Sequence, residues 1–322
     1  MKGFRIVALI VLVCVVAFAQ AQQPGAPTGQ AGAAGARGGQ RGTPPPPDPR
    51  DMGGGRCADN PVNCKDAARP IPGIDSVWME ELTWMDIRDA VKGGKNTVII
   101  STGGMEPNGP YLASGKHNFV LHANCEAIAR KMNNALCAPI IKLVPEGDID
   151  PPTIHMFSPG TISMREETFR MVLEDTARSL RKSTGFKNII FIGDSGGNQA
   201  GMKAVSEKLN AEWKDTVVAH IPDYYTYSEV AKYMESQGIK TDPEKSDRLH
   251  DDPIITLNML IDDPNSVRWE QRVKANKATI NGFSIADKKK SLELAKKVVD
   301  FRATKTIEAI NKAIAAKPKP SM

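Results

Sequence analysis

No basic stripe with interleaved aromatic side chains runs through this sequence, whose aromatic content is 6% and whose net charge is only +5. Part of that charge lies in the N-terminal arm and the Lys-rich C-terminal segment, so the chain carries no footprint for nucleic acid. No internal repeat excludes a solenoid, and no coiled-coil seam or obvious exposed patch specifies an oligomer. No compact ligand motif such as HExxH is present, so any metal site has to be assembled from separate loops. What remains is 322 residues with 41% hydrophobic content, enough for one large domain or two small ones.

The first 22 residues read as a secretory signal peptide. Lys2 and Arg5 precede an apolar run, Ile6 to Phe18, too short to span a bilayer comfortably, and small residues at Ala17, Ala19 and Ala21 offer a cleavage site. The expectation is an exported protein, periplasmic or secreted, with no stable membrane anchor after cleavage. Residues 23–70 form a Gly/Pro-rich linker whose TPPPPDPR run favours extended geometry. Cys57 and Cys64 flank an Asn-Pro turn in CADNPVNC and suit a local disulfide in an oxidising compartment. Cys125 and Cys137 either pair or stay as buried thiols. The folded domain is expected over residues 71–322.

Within it, apolar β-branched runs alternate with amphipathic stretches. Strands are expected at Thr97–Ser101, Pro139–Val144, Lys187–Ile192 and Thr216–Ile221. Helices are expected at Trp78–Val91, Phe119–Met132, Met164–Lys182, Gln199–Trp213, Ser228–Ser236 and Ala286–Ala315. Ser163 with Glu166 forms a capping box for the third helix, and Gly185 ends it. The alternation argues for an α/β fold with a mostly parallel central sheet covered on both faces.

In such folds the loops after the strands carry the site. Gly103–Asn118, Glu146–Ser163 and Gly193–Asn198 are therefore expected to converge. They bring Glu106, Asn108, His117, Glu146, Asp148, Asp150, His155, Asp194 and Ser195. A mixed Glu/His/Asp set suits Zn²⁺ or Mn²⁺ better than the oxygen-loving Ca²⁺. For Asp148 and Asp150 a turn with side-chain-to-backbone bonds is the competing reading, and for His155 a satisfied core histidine. The GDSGG string at Gly193–Gly197 matches the nucleophile block of trypsin-like proteases, but Asn198 replaces the usual proline and no catalytic-histidine signature precedes it. The same GDS resembles that of GDS-type esterases, with Asp247 and His250 as a downstream DxxH, which would make Ser195 an acyl-transfer nucleophile.

The longest likeness is to a different family. LTWMDIRDAV, then GGKNTVIISTGGMEPNGPYLASGKHN, HMFSPGTIS and FIGDSGGNQ follow one another in this sequence. In that order they resemble the creatininase (creatinine amidohydrolase) family, whose pattern runs LTW, helix, strand, G-x-x-E-x-H-G-P-H-L-P and a T-D pair. The resemblance implies a three-layer α/β/α fold, a divalent-metal centre, hydrolysis of linear or cyclic amides, and a homo-oligomer. Glu106 matches the family's first ligating glutamate. Asn108 stands at a ligating histidine, His117 at the bridging aspartate, Ser195 at the N-G-H histidine, and Gly197 at a ligating glutamate. What this chain retains implies one Zn or Mn ion held by Glu106, His117 and Asp194. Glu146, His250, Asp251 and Asp252 are the acid–base and supporting candidates, His250 falling at the family's late HAGE-like motif. Three functions are carried forward: an exported amidohydrolase acting on a small-molecule amide, a family member that binds a small molecule without turnover, and a Ser195-dependent esterase.

Overall fold

A computed structural model describes residues 66–242 and 250–316, all within one compact unit, Asp48–Met322. The proposed signal peptide, most of the linker, Cys57, Cys64 and Asp247 lie outside the described residues.

Four strands make an all-parallel sheet: β1 (Thr97–Thr102), β2 (Ala135–Cys137), β3 (Asn188–Gly193) and β4 (Val217–His220), in the order β2-β1-β3-β4. Side chains alternate across the central strands, as a two-residue period requires. Val98, Ile100, Ile189 and Phe191 enter one core with Phe169, Leu173, Met202 and Leu209. Those partners come from α3 (Glu166–Thr184) and α4 (Gln199–Glu212), and α1 (Trp84–Lys92) packs on the same side through Ile87 and Val91. Ile99, Ile190 and Ile192 face the opposite way, onto Leu121, Cys125 and Ile128 of α2 (Lys116–Met132) and Ala303 and Ile310 of α8 (Lys288–Ala316). Sheet between two helical layers is the expected three-layer arrangement. No helix among the described residues is long and apolar enough to cross a membrane.

A third apolar cluster joins α2 and α8 to α5 (Tyr227–Ser236), α6 (Pro253–Asp262) and α7 (Trp269–Lys274). The sequence pattern predicts no helix at α6. Its segment PIITLNMLID is buried from Ile255 to Leu260, and burial on every side erases the polar stripe that marks an amphipathic helix.

Three of the departures from expectation have a visible cause. Helix α1 begins at Trp84 rather than Trp78, because Thr83 Oγ1 accepts from the Asp86 amide and Asp86 accepts from the Thr83 amide. Trp78 forms an isolated bridge to Cys137 instead. The second strand precedes Pro139 rather than starting there, since proline donates nothing to a ladder. Ser163 does not cap α3: its hydroxyl accepts from the Glu146 amide at 2.9 Å and donates to the Gly147 carbonyl, closing the loop after β2. Helix α3 does end at Gly185, with φ +79°, a left-handed conformation that glycine adopts without strain.

Cys125 of α2 and Cys137 of β2 are joined by a disulfide, tying the helix to the sheet edge it covers.

Candidate metal centre

The chain leaves β1 through α2 to β2 on one side, and leaves β3 through α4 to β4 on the other. A crevice therefore opens at the carboxyl ends of β1 and β3, where doubly wound folds place their ligands. Asn198 closes its floor: fully buried, its side-chain amide donates to Thr102 O at 3.0 Å and Gly103 O at 2.9 Å. The three loops converge above it, around a pocket of about 1330 Å³.

At its base, Glu106, His117 and Glu146 each offer a ligand atom, all within 4.8 Å of one another. Each residue is buried. Glu106 Oε1, His117 Nε2 and Glu146 Oε1 make no well-directed hydrogen bond, although Glu106 Oε1 lies 3.1 Å from His117 Nε2 and 2.7 Å from Lys116 Nζ. Buried polar atoms left this way are costly unless something else satisfies them. Gly104 makes room for the cluster, since a Cβ there would sit 1.9 Å from Glu146 Oε1 and 3.2 Å from His117 Cδ2. Two carboxylates and an imidazole are a suitable donor set for Zn²⁺ or Mn²⁺.

Asp194 lies behind this group rather than in it. Its Oδ2 is 2.9 Å from His117 Nδ1, which places a proton on Nδ1 and turns Nε2 toward Glu106 and Glu146, free to offer its lone pair when the ring is neutral. Asp194 is held in turn by Tyr227 Oη at 2.8 Å and Arg302 Nη2 at 3.0 Å. Arg302 is buried, stacks 4.3 Å from the Tyr224 ring centre, and donates to the Tyr224 carbonyl. Burial disfavours the Asp194 charge, but the His117 bond and the Arg302 charge outweigh it and lower its pKa.

The two glutamates are driven apart. Burial opposes the Glu106 charge, yet the hydrogen bond and charge of His117, with the Lys116 ammonium, hold its pKa well below the ordinary range. Burial first, and the negative charge of Glu106 second, push Glu146 up to about 8. Two neighbouring buried carboxyls repel each other as ions, and a cation placed between them would relieve that repulsion. Burial also opposes the charged form of His117, but its bonds to Asp194 and Glu106 raise its pKa nonetheless.

Two further imidazoles stand at the mouth. His155 Nε2 is 3.1 Å from Glu106 Oε2, and His250 Nδ1 is 3.3 Å from Glu106 Oε1. Asn108, whose amide nitrogen donates to Glu106 O, turns its Oδ1 to His250 Nδ1 at 3.2 Å. That contact puts the His250 proton on Nδ1. Burial and the Lys116 charge lower the His250 pKa to about 4, so its ring is neutral near pH 7. The adjoining Asp251 forms a paired contact with Arg272, at 2.7 and 3.2 Å, which anchors the loop.

Asp252 lines the pocket, but its carboxylate caps α6, accepting from the Ile255 amide at 2.9 Å. Burial raises its pKa to about 6. Ser195 also lines the pocket, and no histidine is hydrogen-bonded to its hydroxyl among the described residues. Gly197 sits against backbone, where a Cβ would meet Pro145 O at 2.5 Å. Asp148 is spent in a turn with Thr153.

The family model for creatininase, creatinine amidohydrolase, matches residues 80–310. The chain belongs to the creatininase family. Solved family structures share its fold at low identity. A tryptophan-to-alanine mutant creatininase is 19% identical with TM-score 0.54, covering 74% of this chain and 98% of its own. A structure described as creatininase Mn is 18% identical with TM-score 0.53 over the same shares. A glutamate-to-glutamine mutant complexed with creatine is 19% identical with TM-score 0.52, again over 74% and 98%. No curated protein matches the chain.

Arg302 has no role assigned by the sequence, and nothing there ties Lys116 to Glu106 or Tyr227 to Asp194. Arg302 is 108 residues from the aspartate it holds, and nothing in its Lys-rich helix marks it out. The one available signal was Lys116, a cation beside His117 inside an otherwise Gly/Pro-rich loop.

Proposed function

We propose that this family member is an exported amidohydrolase using a single divalent ion, Zn or Mn, held by Glu106, His117 and Glu146. The convergence of three buried, under-bonded donor atoms in the crevice between β1 and β3 carries this reading. It differs from the sequence-based ligand set in exchanging Asp194 for Glu146. Family structures named as Mn and Zn–Zn forms support the choice of metals. Bound there, the ion supplies Lewis-acid polarisation of a carbonyl oxygen and a positive field for the charge that develops on it.

The chain's own residues supply orientation and proton transfer. Asp194 fixes the His117 tautomer, and Arg302 and Tyr227 fix Asp194. Asn108 fixes the His250 tautomer, leaving Nε2 as the lone-pair atom. His250 is neutral at pH 7 and takes the proton of the attacking water at Nε2, then returns it to the leaving nitrogen. His155, on the other oxygen of Glu106, helps keep that carboxylate in place. Asp252, engaged as a helix cap, is left out of the proton path.

The substrate is a small molecule with a linear or cyclic amide bond, a reading supported by the relative complexed with creatine. Export is supported by the charged and apolar N-terminus and by the Cys125–Cys137 disulfide, a bond that persists in oxidising compartments. The test is turnover of linear and cyclic amides, creatinine included, by Zn- or Mn-loaded protein and its His250→Gln variant. The reading expects the variant to lose about 10²–10⁴-fold in kcat while keeping its metal. Fully loaded protein that binds such amides and cleaves none would replace it with the binding-only function. Cell fractionation tests export, and a wholly cytoplasmic mature chain would refute it.

A further inference from the structure

The base of the pocket holds a cation of the chain's own. Lys116, the first residue of α2, is 2% exposed, and its Nζ lies 2.7 Å from Glu106 Oε1. Lysine almost never goes so deep unless it is paired. Its partner is a carboxylate of the donor cluster, and the contact engages the same Glu106 oxygen that faces His117 Nε2.

Charge balance gives the ammonium a role. Glu106, Glu146 and Asp194 are the carboxylates of this buried group, and Arg302 and Lys116 are its cations. Arg302 is committed to Asp194 on the far side of His117. In the protonation state that binds metal, with both glutamates ionised and His117 neutral, Lys116 answers one charge of the Glu106–Glu146 pair and leaves about one to attract a divalent ion. Without Lys116 the same pair would present both charges and a free Glu106 oxygen. Like charges separated by a few ångströms in a buried site repel strongly, so the ammonium opposes every further cation placed on this pair.

We propose that Lys116 is a built-in counter-cation that occupies one position on Glu106 and limits the Glu106–His117–Glu146 cluster to a single divalent ion. This rests on the metal reading above. It makes Lys116 a positioning residue that sets the site's capacity and affinity. Neighbouring side chains do not make the same contact: His155 lies on the other Glu106 oxygen, and His250 Nδ1, farther off at 3.3 Å, is turned to Asn108 Oδ1.

The experiment is metal titration of the full chain, wild type against Lys116→Met and Lys116→Gln, with Zn²⁺ and Mn²⁺. Calorimetry reads affinity, elemental analysis after dialysis reads stoichiometry, and circular dichroism checks folding. The proposal expects one ion per chain in the wild type. In the variants it expects a second ion, or a first ion bound about tenfold tighter or more. Unchanged stoichiometry and affinity in folded variants would overturn it, as would loss of the metal. If the wild type binds no ion, the metal reading of the native protein fails by itself. A variant that then gains an ion still supports the Lys116 role, and one that stays empty ends it. If neither variant folds, acylation of Lys116 in the wild type, read by mass spectrometry, decides. Lys116 protected with and without metal supports an ammonium that stays on Glu106. Exposure on metal loading means the ion displaces it, and the proposal is wrong.

Discussion

Replacing Arg302 with methionine should be among the most damaging single changes in this protein, and its cost can be worked from the contacts. The guanidinium is buried, 3.0 Å from Asp194 Oδ1, and also donates to the Tyr224 carbonyl. Its carbon lies 4.3 and 4.9 Å from the ring centres of Tyr224 and Tyr227. Removing one partner of a buried ion pair costs about 3–5 kcal/mol, because the other charge is left behind without its partner. Methionine keeps most of the volume, so the cavity contribution stays small. Tyr227 and His117 still bond Asp194 and keep the loss from growing further. For a folded unit of this size the melting temperature should fall by about 6–20 °C. Urea unfolding followed by circular dichroism measures it. A double variant, Arg302→Met with Asp194→Asn, should cost clearly less than the two single losses together, since the residues share one interaction. Metal affinity should also drop about 10–100-fold in Arg302→Met, because Asp194 no longer holds the His117 ring firmly. A loss under about 1 kcal/mol would mean that Asp194 does not depend on Arg302, and the anchoring argument would fail.

Further outcomes follow from the same contacts. Replacing Cys125 and Cys137 together by alanine, or reducing their bond, should cost about 3 kcal/mol by denaturant unfolding, as expected for a closed loop of this size. An unchanged midpoint would show that the link adds nothing. Asp262 bonds His122 at 2.5 Å, and that bond raises the His122 pKa against the opposing effect of burial. A raised histidine contributes stability fully below its unfolded value near about 6.5 and loses it as pH rises through the folded value. The wild type should therefore exceed Asp262→Asn in stability by more at about pH 6 than at about pH 9. An advantage independent of pH would contradict the pairing. Ser195→Ala should leave metal content intact and amide turnover within about twofold. Abolished turnover would restore the serine route.

Much of the fold was readable because its physical causes are local. The run TVIIST is β-branched and buried on both sides, and Gly103-Gly104 stops it. Gly185 ended α3 where its left-handed conformation does. Where the causes are tertiary, the local pattern misleads. Ser163 has the spacing of a helix cap, but its hydroxyl is drawn to Glu146 and Gly147 across the loop. Helix α6 lost its periodic signature to all-round burial. At the site, Glu106 and His117 stood out as polar groups in a loop that follows a strand, and the loops do converge. Which carboxylate faces the imidazole was beyond the sequence. Asp194 and Glu146 both follow strands, and only the fold turns Nδ1 of His117 to the first and Nε2 toward the second. Asp252 looked like a free acid because its capping role appears only with the helix behind it.

Elemental analysis of purified protein dialysed against Zn²⁺ or Mn²⁺, beside His117→Gln and Glu146→Gln, tests the metal centre most directly. The account predicts one ion per chain in the wild type and loss of that ion in both variants, with folding preserved. A wild type that retains no divalent ion, or variants that hold it as well as the wild type does, would contradict it.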